Sequence, residues 1–278
     1  MRKELPHLRK LVRPALATFT KKTRVAADGI HIREVFNTVR VERAKLNAYR
    51  EYFGFKEVLP LPYIYLLAQR AQGALMLHKS YTIPIPGTIH LENKLQAFKG
   101  LDPNTPFAIE ASLDVKFEAM GSLNPIVLTR FYQHGEEVAL CESAYLVKRK
   151  VSGTNKNSKR KRVAEVYEGA TKPMSSWGLT RKITKEYAAI SDDHNPIHKS
   201  TLAARLVGFK SPIAHGWYIV SRALAECGGF GHKINAQFKR PLFTPGQYSL
   251  YENSFSDGRI TLEICDELEA VLARVQTS

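Results

Sequence analysis

The stretch YAAISDDHNPIHKSTLAARLVGFKSPIAHGW, residues 187–217, decides how this chain is read. At its centre Asn195-Pro196 is a strong turn signal. Pro196 fixes its own φ and pushes Asn195 out of the α region, so the chain bends sharply between an acid, Asp193, and an imidazole, His198. That bend can bring the two side chains around one small space. A carboxylate and an imidazole that share a water make a general acid/base pair, and the acid also fixes which imidazole nitrogen carries the proton. The same letters suit a plain turn or helix cap, with His198 at the surface. The residues that follow favour chemistry. Gly208-Phe209 and then Pro212-Ile213-Ala214-His215-Gly216 lead into an apolar helix expected over residues 212–227. A Gly at a helix start leaves its N–H unhindered and aimed along the axis, where it can hold a carbonyl oxygen that gains negative charge. Acid, imidazole and N–H donor within one segment form a set for proton transfer beside a carbonyl.

Outward from this segment, strands are expected at INAQFKRPL, GQYSLYENSF and RITLEICDEL, with Ser256-Asp257-Gly258 as a turn. LTRKITKEYAAISDDHNPIH reads as a strand and a short turn. The first half of the chain has a similar order. An apolar helix is expected over residues 61–77, followed by strands at GTIHLENKLQAF, FAIEASLDVKFEA, NPIVLTRFYQ and EEVALCESAYLVKR. Tyr132-Gln133-His134-Gly135 reads as a tight turn between the last two. Local letters also repeat: Pro60-Leu61-Pro62-Tyr63-Ile64 parallels Pro212-Ile213-Ala214-His215-Gly216. A duplicated helix-plus-sheet unit is the economical reading. Between the halves, VSGTNKNSKRKR (residues 151–162) is polar and aperiodic, a linker or exposed loop. Its run Lys159-Arg160-Lys161-Arg162 reads as solvated, since no aromatic residues interleave with it as single-strand platforms require.

The 278 residues suit two domains or one large one, and 44% hydrophobic with 24% charged residues is ordinary globular composition. No apolar run reaches the roughly 18 residues of a membrane-spanning helix. The start, MRKELPHLRKLVRPALATFTKKTR, reads as a basic arm or first helix rather than a signal or transit peptide. Cys141, Cys227 and Cys265 lie far apart, give no metal-ligand spacing, and fit a reducing cytoplasm. A net charge of +15 draws anions, and nucleic acid, membrane surfaces and phosphate-bearing small molecules all qualify. Neither a GxGxxG fingerprint nor a P-loop is present to argue for a nucleotide cofactor.

Residues 187–217 resemble the signature of the MaoC-like (R)-specific enoyl-CoA hydratases (hydratase 2) and the related 3-hydroxyacyl thioester dehydratases. That signature is Asp-x-Asn-Pro-aliphatic-His, then Gly-Phe, then Pro-Ile-(Ala/Val)-His-Gly. Asp193, Asn195, Pro196, Ile197, His198, Gly208, Phe209, Pro212, Ile213, Ala214, His215 and Gly216 match it. Phe238-Lys239-Arg240-Pro241, followed by Thr244-Pro245-Gly246, is similar to the family's central strand and turn, so the resemblance covers most of residues 177–278. It implies an α+β double hotdog, two long helices each wrapped by a curved antiparallel β-sheet. The expected domains are a degenerate hotdog over residues 1–150 that shapes the acyl pocket, a basic linker over 151–172 and a catalytic hotdog over 173–278. The first half lacks the acid-Asn-Pro-His motif, so one active site per chain is expected.

The activity implied by the resemblance is that of a hydro-lyase in fatty-acid metabolism: reversible hydration of trans-2-enoyl-CoA to (R)-3-hydroxyacyl-CoA. Asp193 and His198 would hold one water, with Asp193 as base and His198 as partner acid, an order the sequence does not fix. The Gly216 N–H would hold the thioester oxygen. Asn195, His215, Phe209 and Arg240 are the expected substrate-binding residues, with Asn195 chiefly fixing the turn and His215 packing or capping at the helix start. No metal or redox cofactor is implied, because a thioester itself acidifies C2. CoA or acyl carrier protein would carry the acyl group. The expected protein is a cytoplasmic monomer or homodimer that binds neither nucleic acid nor membrane. Rival readings are a dehydratase of acyl carrier protein substrates and a non-catalytic acyl-thioester or nucleic-acid binding protein. The intact acid–histidine motif speaks against the last.

Overall fold

A computed structural model describes residues 4–23, 29–117, 122–147, 172–228, 231–254, 256 and 258–278. The expected linker lies outside them except for Lys172, as does Asp257 of the expected turn. The first half runs α1 (Leu8–Ala17), β1 (Ile30–Val39), α2 (Arg43–Phe53), α3 (Leu61–Met76), β2 (Ile89–Ala97), β3 (Phe107–Phe117), β4 (Leu123–Gln133) and β5 (Glu136–Leu146). The second runs β6 (Ser175–Leu179), α4 (Arg181–Ser191), α5 (Thr201–Leu206), α6 (Gly216–Glu226), β7 (Lys233–Phe238), β8 (Gly246–Ser254), β9 (Ile260–Cys265) and β10 (Val271–Thr277).

The strands form one ten-stranded antiparallel sheet in the order β1-β3-β4-β5-β2-β7-β10-β9-β8-β6. Each half therefore has the same internal topology: its first and second strands lie at opposite edges and the later three fill the space between. The sheets meet edge to edge where β2 pairs with β7, from Glu92↔Gln237 to Gln96↔Lys233. Burial alternates along the whole of β4, which is the mark of a strand with one face on a core. His134 and Gly135 both have positive φ, as a two-residue hairpin with the twist of its strands requires.

The two central helices are apolar nearly all round. Residues 61–68 of α3 are all buried, as are Trp217, Tyr218, Ile219, Val220, Ala223 and Leu224 of α6. Such helices belong in the interior rather than on a surface. Among the described residues, no helix is long and apolar enough to cross a membrane.

Two expectations need correction. The stretch read as a strand and turn before the Asn-Pro bend is a short strand, β6, followed by a helix, α4. Thr184, Tyr187, Ala188 and Ser191 are its buried face, a helical spacing, and the Thr180 hydroxyl caps the helix by accepting from the Ile183 N–H. The second apolar helix begins at Gly216, four residues after Pro212. Residues 212–215 are extended because Ile213 bridges Phe243 and the Ala214 N–H donates to the Leu242 carbonyl at 2.8 Å.

His90 lies on the sheet at the joint of the halves. Its ring stacks on Tyr145 at 4.7 Å and sits 4.9 Å from Phe238 and 6.0 Å from Tyr65. Burial pushes the imidazole down from 6.5 to about 4, and its Nε2 has no hydrogen-bond partner. The unfolded chain takes up a proton here that the folded chain refuses, so stability falls as pH drops from 6.5 toward about 4 and then levels. Urea unfolding at pH 7 and pH 4.5 should show that decline. His90→Phe should remove roughly 2–3 kcal/mol of it, and an unchanged decline in the variant would rule His90 out as its source.

Candidate active site

The site forms where α4 ends. Asp192 closes that helix in the left-handed conformation, φ 63°. The next residue, Asp193, then leaves the helix axis and its N–H donates to the Ser191 hydroxyl at 3.3 Å. Asn195 caps the following 3-10 turn, Pro196–His198: its side-chain oxygen accepts from the Ile197 N–H at 3.3 Å. Its own N–H donates to Asp193 Oδ1 at 3.1 Å. Asn195 thus shapes the loop and orients the acid.

Two cross-ties fix the imidazoles. His198, 7% exposed, places Nδ1 2.8 Å from the Ile213 carbonyl. His215, 3% exposed, places Nε2 3.0 Å from the Asp193 carbonyl. A carbonyl only accepts, so each of these nitrogens carries the proton and donates it. The opposite nitrogens, Nε2 of His198 and Nδ1 of His215, keep lone pairs in the neutral rings. The rings stack with centroids 3.7 Å apart, and Tyr187 meets His215 edge-on at 5.0 Å. One nitrogen of each ring and one Asp193 oxygen lie within 4.8 Å of one another. Two acceptors that share a water at normal hydrogen-bond length stand roughly 4.6 Å apart, so one water can serve this group. Two imidazoles and a carboxylate are also a set that transition metals use.

The electrostatics follow from burial. Desolvation pushes His198 below its usual range, against the pull of Asp193. It pushes His215 down to about 3, with His198 adding to the effect. Burial also pushes the Asp193 carboxyl upward. The facing imidazoles of His215 and His198, the Asn195 N–H and Gln69 outweigh it and hold the acid below its usual value. At neutral pH the group is therefore one carboxylate beside two uncharged imidazoles.

Gly216, the residue after His215, is the first of α6, and a helix's first N–H groups have no intrahelical acceptor. A Cβ here would stand 2.8 Å from the Phe238 ring, so the ring covers a position that only glycine fits without a shift. Of the expected substrate-binding residues, His215 joins the cluster and Asn195 builds its loop. Phe209 and Arg240 make none of the bonds or ring contacts that join Asp193, His198 and His215. The Phe209 N–H closes α5 on the Ala204 carbonyl, and Arg240 is exposed on the bend after β7. Ser221, inside α6, donates to the Trp217 carbonyl at 2.7 Å and meets the Tyr49 hydroxyl at 2.6 Å.

One polar partner escaped the sequence. Gln69 of α3, in the half without the motif, donates Nε2–H to Asp193 Oδ2 at 2.8 Å. It is 124 positions away in the chain, and no local pattern points to it. Its only trace is that it is one of three polar residues, with Arg70 and Gln72, in a largely apolar helix.

Known proteins share parts of this sequence and its fold. Residues 159–245 match the model of the MaoC like domain. The chain is 25% identical over 226 residues to 3-hydroxyacyl-thioester dehydratase X of Mycobacterium tuberculosis, covering 76% of each chain. The crystal structure of HtdX from the same organism superposes with a TM-score of 0.72 at 20% identity, over 88% of this chain and 98% of that one. A conserved hypothetical protein of M. tuberculosis with a double hotdog fold superposes at 0.53, with 9% identity, over 91% and 96%. With its repeated strand order and these superpositions, the chain has the double hotdog fold, and the segment around the Asn-Pro bend matches the MaoC like domain.

Proposed function

We propose that this protein adds water reversibly across the C2–C3 double bond of a trans-2-enoyl-CoA, giving (R)-3-hydroxyacyl-CoA, with Asp193 and His198 as the reacting pair. One observation carries the reading: a carboxylate oxygen of Asp193 and one ring nitrogen each of His198 and His215 converge within 4.8 Å, with His215 next to the first residue of α6. The similarity to a protein named as a 3-hydroxyacyl-thioester dehydratase supports the substrate class.

In the hydration direction, a water donates hydrogen bonds to Asp193 and to His198 Nε2. As its oxygen bonds to C3, the π electrons move to the thioester oxygen, which the Gly216 N–H holds as charge builds. His198 takes the water's proton, and Asp193, still ionised, steadies the imidazolium. The imidazolium then returns that proton to C2 as the enolate collapses, so one water is added and both groups end as they began. This gives His198 the part of base that the sequence reading gave to Asp193. The reason is electrostatic: burial keeps His198 neutral, and its one proton is committed to Ile213. His215 holds the Asp193 loop through its carbonyl. The half without the motif, with its aromatic wall of Tyr65, His90 and Tyr145, shapes the acyl end of the pocket. Phe209 and Arg240 belong to its substrate-facing rim.

The test is hydration of crotonyl-CoA, followed as loss of the enoyl thioester absorbance. Asp193→Asn and His198→Gln should each lower kcat by roughly 10²- to 10⁴-fold with the fold intact by circular dichroism. Wild-type rates in both would remove the pair from the mechanism.

The pH profile is a second check. The reacting imidazole must be neutral, and burial holds it below 6.5. kcat/KM should therefore keep more than half of its pH 8 value as the pH is lowered to 6.5 and fall mainly at more acidic values. A decline already complete by pH 6.5 would contradict a depressed imidazole.

The net charge of +15 favours a second carrier, an acidic acyl carrier protein, as well as the phosphates of CoA. A kcat/KM at least tenfold higher on crotonyl carrier protein than on crotonyl-CoA would assign the protein to the carrier; the reverse ratio would assign it to CoA.

A further inference from the structure

We infer that Gln69, on the central helix of the half without the motif, is a positioning residue that turns Asp193 and keeps it charged. This rests on the reading of Asp193 as a member of the hydrating pair.

A carboxylate on a short side chain rotates broadly about its last bond, so a single hydrogen bond leaves its plane free to swing. Asp193 has two, one on each oxygen: the Asn195 N–H on Oδ1 at 3.1 Å and Gln69 Nε2 on Oδ2 at 2.8 Å. Together they fix the plane of a carboxylate that has one ring nitrogen each of His198 and His215 within 4.8 Å of one of its oxygens. The ionised acid accepts only, so it selects the NH₂ end of the Gln69 amide. An amide suits the task because it donates without charge. A lysine here would form an ion pair that blunts the carboxylate, and a glutamate would repel it.

Gln69 is itself held in place by its helix. Pro62, Tyr65 and Gln69 are spaced three and four apart and share one face of α3. The Pro62 carbonyl accepts from Trp217 Nε1 at 2.7 Å, and Tyr65 stacks on the Trp217 ring at 4.1 Å. Trp217 follows Gly216. The same α3 face thus docks on the start of α6 and on the acid of the turn. Arg70, one position further on, fastens the other side of α3 through Nε to the Pro6 carbonyl and Nη2 to the Leu5 carbonyl, both at 2.9 Å. The motif-free half is in this way part of the reacting site.

The experiment uses the full chain as wild type, Gln69→Leu and Gln69→Glu. Crotonyl-CoA hydration gives kcat and KM. Carbon-13 NMR of carboxyl-labelled aspartate gives the Asp193 titration, its signal assigned by its loss in Asp193→Asn. Thermal unfolding reports the fold. In Gln69→Leu, kcat should fall roughly tenfold to a hundredfold with KM changed less than about threefold, and the Asp193 titration should move to higher pH. Gln69→Glu keeps the length and loses the neutral donor, and at pH 8 its kcat should fall at least as far. An Asp193 titration in Gln69→Leu that matches wild type overturns the inference, as does wild-type kcat in either folded variant. The titration needs no turnover: if wild type hydrates no enoyl thioester, the proposed function fails while the NMR shift still decides the part played by Gln69.

Discussion

A carboxylate drawn partly out of water between two packed units keeps its charge best when both oxygens are hydrogen-bonded. Asp193 meets that requirement with one donor from its own turn and one from the other hotdog unit. The rest of the structure serves this arrangement. Asp192, next in the chain, faces the opposite way, where Lys45 Nζ lies at 3.6 Å and the Arg9 N–H at 3.4 Å. One residue of the pair thus binds the bend to α1 and α2, and the other binds it to α3. The turn is pinned from both sides before any substrate enters.

The imidazoles obey the same logic with the opposite sign. An uncharged ring buries more cheaply than an imidazolium, and a backbone carbonyl fixes which nitrogen keeps its lone pair. Ile213 sets the tautomer of His198, and the Asp193 carbonyl sets that of His215. Both carbonyls lie on extended or irregular backbone, where they are not spent in a helix. This gives the extended run over residues 212–215 a purpose that a longer helix would defeat. Had α6 begun at Pro212, Ile213 would have lost the exposed carbonyl that holds His198.

Much of this was legible in the sequence because much of it is local. The Asn-Pro bend, the central helices, the hairpin at His134-Gly135 and the strands around it are encoded by neighbours in the chain, and pattern reading reached them. Helix α4 was missed because its apolar residues are sparse: its buried face is Thr184, Tyr187, Ala188 and Ser191, half of it hydroxyl-bearing. Strand β1 was missed for a different reason. It alternates well at first, with Ile30, Ile32 and Phe36 inward, but its register shifts between Phe36 and Val39, where Thr38 takes a positive φ. Gln69 was out of reach altogether. Its meaning depends on α3 lying across the Asp193 turn, and no spacing within either half expresses a contact between halves.

That last contact bears on how a duplicated fold divides its labour. The halves share one strand order, and each begins its central helix after an extended segment, at Leu61 and at Gly216. The equivalent first positions have diverged in size. In the second half a bare backbone faces the Phe238 ring, and any Cβ would collide with it. In the first half a buried leucine and Pro62 fill the same turn. Proline has no N–H to offer an oxyanion, and the leucine side chain takes up space that a ligand would need. The Leu61 N–H, equivalent to that of Gly216, is thus flanked by a bulky side chain and by a proline that adds no second donor. What it can present is a rigid lateral face, and the Pro62 carbonyl, the Tyr65 ring and the Gln69 amide on that face all engage the other half. Losing the motif did not free the first half from the site. It left that half bonded to Asp193 and docked on the start of α6.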